Sequence, residues 1–422
     1  MMKNSAKPAG PGCDEFDPGS LPLERAVATV LDATPTAIQS KRVKLRKSLG
    51  RVLAEDVRAP QDVPNHTNSA MDGYAFAGSA LTSEGLSNFK IIATAYAGKP
   101  YRGAVKTGEA VKIMTGAIMP ADTDTVVMQE YVDAEGDSMQ INKTAKTGQN
   151  VRYAGEDVKQ GAVVLHKGRR MSCADVGVLA SLGMVKVKVF KRPRVAFFSN
   201  GDEIKKVGEP LNEGEVYDSN RHTLYAMLKR AGAKLIDLGV VGDDYDEIKK
   251  TIKRGNQKAD MVITSAGASV GEADYIYDII SELGKVNLWK MAIKPGRPLA
   301  FGELSNSVFF GLPGNPVSVM VTFALCVKPA LSKLSGEIEK PTLKHQAKTL
   351  TDLRKRPGRS EYQRAVAYND EHGELVVNAR KYQGSGVLSS MAEGNCFVVL
   401  DLESTGAKVG EFVNIILFSE LF

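Results

Sequence analysis

The chain has 422 residues, more than one hydrophobic core usually supports, so we expect several domains. A hydrophobic fraction of 43% and a charged fraction of 25% are ordinary globular values and exclude wholesale disorder. The net charge of +6 comes from basic residues interspersed with acids. That pattern disfavours a nucleic-acid-binding patch and favours small anionic substrates.

Cysteine and histidine spacing predicts neither a zinc site nor a disulfide framework. The four cysteines form no C-x-x-C pair and the five histidines form no H-E-x-x-H. Residues 1–19 contain no apolar segment like that of a signal peptide, and we predict a flexible leader there. The longest apolar stretch, residues 317–327, is too short to cross a bilayer. We therefore expect a cytoplasmic protein that does not act at a membrane.

The first part of the chain predicts a helix and a β-rich insertion. Residues 20–56 begin with the amphipathic SLPLERAVATVL, which we expect to dock on a later α/β unit, and then link to a small domain. Residues 57–154 contain short alternating apolar pieces separated by Gly, Pro, Asp and Asn, typical of a β-rich lid domain. Residues 155–186 would complete the small domain.

Residues 187–340 alternate strand-like and helix-like segments. A helix is predicted in SNRHTLYAMLKRAG, ending at Gly232, and another begins after GLPGNP with Asn315 as cap and Pro316 in its first turn. Such repetition predicts a central doubly wound, mostly parallel α/β domain. Short strands such as YQRAVAY and CFVVL predict a C-terminal β-domain over residues 341–422. The fold class is α/β multidomain.

Ligands of open α/β sheets bind beyond the carboxyl ends of the strands. Here those ends are predicted at residues 199–202, 242–244, 264–271 and 313–316. Tight turns need Gly and Asp anyway, so each loop taken alone is better explained as structural. Their expected convergence on one rim favours a binding site.

Two stretches suggest anion chemistry. After the strand MVITS, the hydroxyls of Ser265 and Ser269 and the bare backbone of Gly267 and Gly271 suit an anion, although the loop matches neither a Walker motif nor G-x-G-x-x-G. In WKMAIKPGRP, Lys294 precedes a Pro-Gly turn that would fix its direction, as a phosphate partner requires. If this motif stood alone, an ordinary surface lysine near a turn would be the better interpretation of Lys294.

Acids and arginines elsewhere extend this chemistry. Asp72 stands at a turn in NSAMDGYAF, and RYAGEDVKQG carries acids without neighbouring thiols or imidazoles, a pattern that suits magnesium. RPGRSEYQR offers Arg359 and Arg364, whose forked donors suit tetrahedral oxyanions.

Taken together, several short motifs carry a family resemblance. In order and spacing, the chain from about residue 20 to 420 resembles the molybdopterin molybdenumtransferase family, which includes bacterial MoeA proteins and the E-domain of homologues such as gephyrin. The motifs are NSAMDGYAF, RYAGEDVKQG, YDSNRHTL, TSAGASVGEADY, KMAIKPGRP, GLPGNPVSV and GSGVLSSMAEGNC.

The resemblance implies a homodimer of four-domain subunits whose α/β domain, residues 187–340, binds molybdopterin. It implies that adenylylated molybdopterin and molybdate are substrates, that AMP is released, and that Mg²⁺ is the cofactor. Implied partners are the adenylyltransferase that makes the substrate and apo-molybdoenzymes that receive the product. No nucleic acid or membrane is implied.

The resemblance also assigns residues to roles by motif. Asp218 and Asp274 would bind the metal, and Ser318 and Ser385 would join Lys294 and Arg359 in binding molybdate. The catalytic positions are Asp72, Asp157, Asp218, Asp274, Lys290 and Lys294, and the substrate-binding positions are Ser265, Gly267, Ser269, Gly271, Pro313, Gly314, Asn315 and Pro316.

The chain departs from the family pattern at three positions, and two other functions are alternatives to molybdate insertion. Ala266 replaces a common glycine, where a methyl could crowd the phosphate; Ala268 replaces a valine, and Arg297 replaces a lysine. The same fold could instead serve as a receptor-anchoring scaffold, or the α/β domain as a molybdopterin adenylyltransferase. Intact acids and lysines favour the enzyme over the scaffold, and the extra β-domains favour molybdate insertion over adenylyl transfer.

Overall fold

The computed structural model describes residues 19–84, 86–265, 273–338 and 341–422, with the side chains of residues 273, 274, 288 and 289 left out. The chain forms two compact units. The larger unit contains the described residues up to Lys41 together with Gly50–Val52 and Val189–Phe422; the smaller unit contains Arg42–Leu49 and Leu53–Lys188. The domain boundaries within these units stay predictions.

The smaller unit is built on a six-stranded mixed sheet in the order β7-β4-β6-β5-β9-β8. Phe76 and Phe89 pack at its centre with ring centroids 4.4 Å apart. Gly73 has no space for a side chain, because a Cβ there would lie 1.9 Å from the carbonyl oxygen of Val127. The elements up to residue 190 are α1 (Leu23–Ala33), β1 (Ser40–Lys44), β2 (Val57–Arg58), β3 (Asn68–Ser69), β4 (Gly73–Phe76), β5 (Asn88–Ala95), β6 (Glu109–Ile113), β7 (Thr125–Met128), β8 (Val132–Glu135), β9 (Ser138–Ile141), β10 (Val151–Arg152), β11 (Val163–Leu165), α2 (Cys173–Ser181) and β12 (Lys186–Phe190).

The larger unit contains the predicted doubly wound sheet, in the order β16-β13-β17-β21-β20-β18. Its elements are β13 (Arg194–Asn200), β14 (Ile204–Lys205), β15 (Val216–Tyr217), α3 (Ser219–Arg230), β16 (Lys234–Val241), α4 (Tyr245–Lys258), β17 (Met261–Ser265), α5 (Ala273–Leu283), β18 (Gly284–Lys290), β19 (Ile293–Lys294), β20 (Pro298–Leu304), β21 (Val308–Leu312), α6 (Pro316–Thr322) and α7 (Lys328–Leu334). Strands β16, β13, β17 and β21 are parallel, and β20 runs antiparallel to its neighbours. The strand–helix alternation predicted from sequence is confirmed.

Side chains alternate between the two faces of this sheet. Phe197 and Phe310 enter one core, which also receives Ala26 and Val30 of α1. Phe198 and Phe309 enter the core on the opposite face, beneath α4 and α5. The docking predicted for the N-terminal amphipathic helix is therefore confirmed, and burial on both faces explains why these strands are continuously apolar.

The last domain forms a closed ring of strands. It contains β22 (His345–Thr349), β23 (Leu353–Arg354), β24 (Ser360–Asn369), β25 (Leu375–Ala379), α8 (Ser389–Glu393), β26 (Cys396–Leu400), β27 (Gly406–Ala407), β28 (Phe412–Leu417) and α9 (Phe418–Leu421). The order is β19-β24-β25-β22-β28-β26, and β24 also pairs with β26, which closes the ring. The long strand β24 can do this because different parts of it pair with β19, β25 and β26.

An apolar helical run continues from α6 through a π-helical turn, Phe323–Val327, into α7. The run Pro316–Leu334 is 19 residues long with a mean hydropathy of 1.5, so length and composition alone would allow it to cross a membrane. The sequence-based argument that the apolar stretch is too short was therefore wrong. Two-thirds of the run, 67%, is buried inside the protein, as in the core helix of a globular domain.

Candidate functional site

A buried polar network lies at the carboxyl ends of the parallel strands β13 and β17. Ser199 Oγ donates to Asp218 Oδ1 at 2.9 Å and lies 2.9 Å from Ser265 Oγ. An ionised carboxylate can only accept, so the Ser199 proton points to Asp218 and the Ser265 hydroxyl donates to Ser199. Ser265 is fully buried. Its hydroxyl is therefore used inside the protein, which does not fit direct contact with a substrate.

Asp218 caps helix α3 and pairs with Arg221. Its Oδ1 accepts the backbone N–H of Arg221 at 3.0 Å, and its Oδ2 accepts Arg221 Nε at 2.9 Å. Arg221 also donates to Asp237 Oδ2 at 2.7 Å. Burial lowers the pKa of Arg221, but its bonds to Asp218 and the charge of Asp237 leave that pKa raised overall. Ser199, Asp218, Arg221 and Ser265 are called the Asp218 network below.

More polar contacts surround the adjacent strand ends. Thr264 Oγ1 donates to Asn200 Oδ1 at 2.8 Å beneath the surface. The backbone N–H of Asp243 donates to Asp202 Oδ1 at 3.0 Å, joining the loops that follow β13 and β16. The predicted convergence of polar loops at this rim is thus observed for the part that the structure describes.

The loop between β21 and α6 also lies at this rim. Asn220, in the first turn of α3, donates from Nδ2 to the carbonyl oxygen of Gly314 at 2.7 Å. Pro313 is buried, and Pro316 is the first residue of α6 as predicted. Asn315 occupies the cap position without a side-chain hydrogen bond.

A basic cavity lies where the α/β domain meets the C-terminal strands within the larger unit. Its volume is about 280 Å³. The described residues that line it are Lys294, Arg354, Lys355, Arg356, Arg359 and Glu361. This set of side chains is called the basic cavity below. Two predicted molybdate ligands, Lys294 and Arg359, are therefore brought together, and five cations against one carboxylate make the site attractive to anions.

Strand pairing positions Lys294 in this cavity. β19 runs parallel to β24, with Lys294 opposite Glu361, and Lys294 Nζ lies 3.7 Å from Glu361 Oε1. The following Gly296 has φ of +105°, a conformation that favours glycine. A Cβ at Gly296 would come within 2.7 Å of Thr322 Cγ2, so the turn packs closely on α6. The direction that sequence predicted for Lys294 thus has a structural basis.

Two other predicted molybdate ligands lie at the start of α6. Ser318 is buried in this helix, and the backbone N–H of Val317 donates to the carbonyl oxygen of Ser385 at 3.0 Å. Among the described residues, neither serine belongs to the cavity lining. Of the four predicted molybdate ligands, Lys294 and Arg359 thus line the basic cavity, whereas Ser318 and Ser385 lie at the start of α6.

Two buried cations of the C-terminal domain, Lys355 in the cavity lining and Arg364 outside it, donate to groups inside the protein. Lys355 Nζ donates to the carbonyl oxygens of Leu402 and Ser404, each at 2.9 Å, and burial lowers its pKa. Arg364 is almost fully buried and donates to Ser390 Oγ at 3.0 Å and to the carbonyl oxygen of Gly384 at 2.9 Å. Burial lowers the pKa of Arg364 to about 10. The oxyanion role that sequence predicted for Arg364 does not fit a guanidinium held inside the protein.

The remaining described candidates are exposed. Lys290 ends β18, opposite Pro298. In the smaller unit, Asp72 Oδ1 accepts the backbone N–H of Thr115 at 2.7 Å and its hydroxyl at 2.8 Å, and these bonds lower the pKa of Asp72. Asp157 follows a turn, and its N–H donates to the carbonyl oxygen of Val63 at 3.1 Å.

Part of the predicted site lies outside the described residues. These positions are Gly267, Ser269 and Gly271, together with the replacements Ala266 and Ala268. Asp274 belongs to helix α5, but its side chain is also outside the description.

Asp218 does not fit the role of a magnesium ligand. Its carboxylate is 2% exposed, and both oxygens already accept hydrogen bonds within the Asp218 network. Magnesium keeps several waters when bound, which a closed carboxylate cannot accommodate. Within the described ranges, no cluster of three or more His, Cys, Asp or Glu could hold a metal ion.

Sequence reasoning missed several residues that build the site. Arg221 stands three residues after Asp218, a spacing that lets a capping acid pair with a basic residue on the same helix. Glu361 lies between Arg359 and Arg364 in RPGRSEYQR, but its position opposite Lys294 depends on a long-range strand pairing. The sequence indicated only that Ser199 is a polar residue at the end of a strand, and did not indicate its contact with Asp218.

The chain matches three family descriptions in succession. They are the MoeA N-terminal region (domain I and II) over residues 21–183, the probable molybdopterin binding domain over residues 196–333, and the MoeA C-terminal region (domain IV) over residues 346–418.

Full-length relatives and a solved structure extend these matches. The molybdopterin molybdenumtransferase of Haemophilus influenzae is 40% identical over 403 residues, covering 95% of this chain and 99% of the relative. The protein of that name from Staphylococcus aureus strain COL is 33% identical and covers 94% of this chain and 95% of the relative. The crystal structure of the molybdopterin biosynthesis moeA protein of Pyrococcus horikoshii OT3 superposes with a TM-score of 0.81 at 31% identity, covering 94% of this chain and 100% of that chain. On this evidence the chain belongs to the molybdopterin molybdenumtransferase family.

Proposed function

We propose that this enzyme inserts molybdate into adenylylated molybdopterin, cleaving the pyrophosphate link, releasing AMP and giving molybdenum cofactor. The observation that carries the proposal is the basic cavity, which groups Lys294 and Arg359 with three more cations. A tetrahedral dianion is the ligand class that such a surplus of positive charge attracts. The names of the full-length relatives support the same reaction and favour it over a scaffold or an adenylyltransferase.

The two cavity residues would hold an oxyanion in different ways. Arg359 carries a planar fork that can donate two parallel N–H bonds to neighbouring oxygens. Lys294 supplies a compact ammonium group. The backbone of this lysine is fixed by the pairing of β19 with β24. Together they would orient molybdate, whereas the predicted ligands Ser318 and Ser385 lie outside the described cavity lining and have no assigned part in this step.

Cleavage of the pyrophosphate link needs an oxygen nucleophile, and we assign that role to water or to molybdate itself. The buried thiols are unsuitable, because burial raises the pKa of Cys326 to about 12 and that of Cys396 to about 12. Both therefore remain protonated near neutral pH. The proposed contribution of Asp72, Asp157 and Lys290 is to position the adenylylated substrate.

The magnesium proposal rests on Asp274, because Asp218 is closed by its own hydrogen bonds. When bound, the ion would neutralise charge on the phosphates. Titration with Mn²⁺, followed by electron paramagnetic resonance, tests this directly. Unchanged binding in the variant Asp274→Asn would exclude Asp274 as a ligand.

We also propose a cytoplasmic homodimer that receives its substrate from the adenylyltransferase and passes its product to apo-molybdoenzymes. Asp72 and Asp274 fall in different units, so one active site could use Asp72 from one subunit and Asp274 from the other. Mixing Asp72→Ala with Asp274→Ala subunits should then restore part of the activity. No recovery in verified mixed dimers would contradict a shared site.

A molybdate titration tests the cavity assignment. Losing one charge-assisted contact of roughly 1.5–3 kcal/mol should raise the half-saturating molybdate concentration about ten- to a hundredfold in Lys294→Ala and Arg359→Ala. Arg359→Lys should recover only part, because an ammonium cannot replace the fork. AMP release is measured at saturating adenylylated molybdopterin.

The matched control is Lys348→Ala. Lys348 also lies on a strand of the C-terminal ring, but its ammonium pairs with Glu374 Oε2 at 2.7 Å outside the cavity. This variant should keep the wild-type molybdate dependence. Unchanged half-saturation in all three cavity variants would overturn the assignment of Lys294 and Arg359.

A further inference from the structure

The basic cavity contains a carboxylate that oxyanion binding alone does not explain. Among the described residues that line it, Glu361 is the one acid beside five cations. A carboxylate near a bound dianion repels it, so a site selected only for tight binding would lack this group.

Glu361 is held firmly in place. It is 8% exposed, and its Oε1 accepts Gln363 Nε2 at 3.2 Å. Its backbone pairs on two sides, opposite Lys294 of β19 and opposite Leu400 of β26. The pairing fixes the backbone of Glu361, and burial and the bond from Gln363 hold its carboxylate at the cavity.

The same carboxylate restrains the ammonium of Lys294. The two charged atoms lie 3.7 Å apart, and the lysine side chain is 44% exposed whereas the glutamate side chain is 10% exposed. The more mobile partner is therefore the lysine, and Glu361 is the fixed one. An oxyanion that enters the cavity would therefore share the ammonium of Lys294 with the carboxylate of Glu361.

We propose that Glu361 is a positioning residue for Lys294 and an internal counter-ion that keeps the oxyanion affinity of the basic cavity low. The inference rests on the proposed function, since it concerns the same cavity. Its consequence is a split between binding and turnover. Removing the negative charge tightens oxyanion binding, but it also releases Lys294 from the position in which it presents molybdate to the substrate.

The variant Glu361→Gln tests this split, because the amide has nearly the same shape and can still accept from Gln363. Isothermal titration of the full-length protein with molybdate should show about tenfold tighter binding, the effect of losing one nearby like charge through an intermediate dielectric. The maximal rate of AMP release should fall several-fold. The conservative variant Glu361→Asp should return both quantities toward wild type.

Anion charge provides a second, sharper measurement. Perrhenate has the tetrahedral shape of molybdate but one negative charge instead of two. If Glu361 acts through its electrostatic field, the free-energy gain scales with ligand charge. A tenfold gain for molybdate therefore predicts a gain of only about threefold, its square root, for perrhenate.

The control Glu374→Gln makes the same chemical change at the carboxylate paired with Lys348, outside the cavity lining. It should leave both anion affinities unchanged. Glu361→Gln with wild-type melting temperature and unchanged or weaker molybdate binding would overturn the inference. If wild-type protein binds molybdate no better than Lys294→Ala, the proposed function fails instead, so the two failures are distinguishable.

Discussion

The Asp218 network and the basic cavity, both in the larger unit, use charge in opposite ways. Asp218 is 2% exposed, and its two oxygens accept three hydrogen bonds from Ser199 and Arg221. The basic cavity is lined by five cations and one carboxylate among the described residues, around a volume of about 280 Å³. Removing a buried carboxylate whose oxygens are all hydrogen-bonded destabilises the fold, whereas unbalanced positive charge around a cavity attracts an anionic ligand. Substitutions in the two regions should therefore separate stability from binding.

The largest loss of stability is expected for Asp218→Ala. The change leaves Arg221 without its buried partner and removes the cap of α3, which should cost about 3 kcal/mol of unfolding free energy. Asp218→Asn should cost about half as much, since the amide oxygen can still cap the helix. Urea unfolding can be followed by fluorescence of Trp289, the chain's one tryptophan, in the larger unit. Equal stability of Asp218→Ala and wild type would show that the network does not hold the fold.

An intermediate loss of stability is expected at Asp175 in the smaller unit, where a second buried carboxylate forms a capping box with Ser172 at the start of α2. Asp175 accepts the Ser172 N–H at 2.8 Å and pairs with Arg169 at 2.9 Å. Burial raises the pKa of Asp175, but the bonds from Arg169 and Ser172 lower it below its ordinary value overall. Asp175→Asn should cost about 1 kcal/mol at neutral pH.

The pH dependence of that cost follows from the lowered pKa. A carboxyl group with a lowered folded-state pKa stabilises the fold above its unfolded pKa of about 3.9, and this stabilisation is lost as pH falls through the folded pKa. The difference between wild type and Asp175→Asn should therefore shrink below about pH 4. Hydrogen exchange of the α2 amides measures it locally. A difference that grew on acidification would contradict the assigned sign.

The smallest effect on stability is expected for the exposed Arg356 in the cavity wall. Arg356→Ala should change the unfolding free energy by no more than about 0.5 kcal/mol. It should nevertheless weaken molybdate binding several-fold at low salt, and less at high salt, because exposed charges are screened. A stability loss as large as that of Asp175→Asn would mean that the cavity cations are structural.

Local patterns were sufficient to predict much of this architecture. Pro316 at the start of α6 and Gly232 after α3 are short-range signals, and the β-α alternation specified a parallel sheet. The Asp218 network was not predictable in the same way, because Ser199 meets Asp218 only after β13 and α3 are placed side by side. Glu361 meets Lys294 through the pairing of β19 with β24, which no local pattern encodes.

The two-residue strand β19 has a consequence for anyone who recombines domains of this family. The chain leaves the α/β sheet after β18, contributes Ile293–Lys294 to the edge of the C-terminal ring, and returns as β20. This segment thus adds a short edge strand to β24 of the ring, although it is encoded well upstream of the strands that close the ring. A graft of residues 341–422 onto another protein would arrive without its edge strand and without Lys294, so a transplant of working anion chemistry has to begin before residue 293.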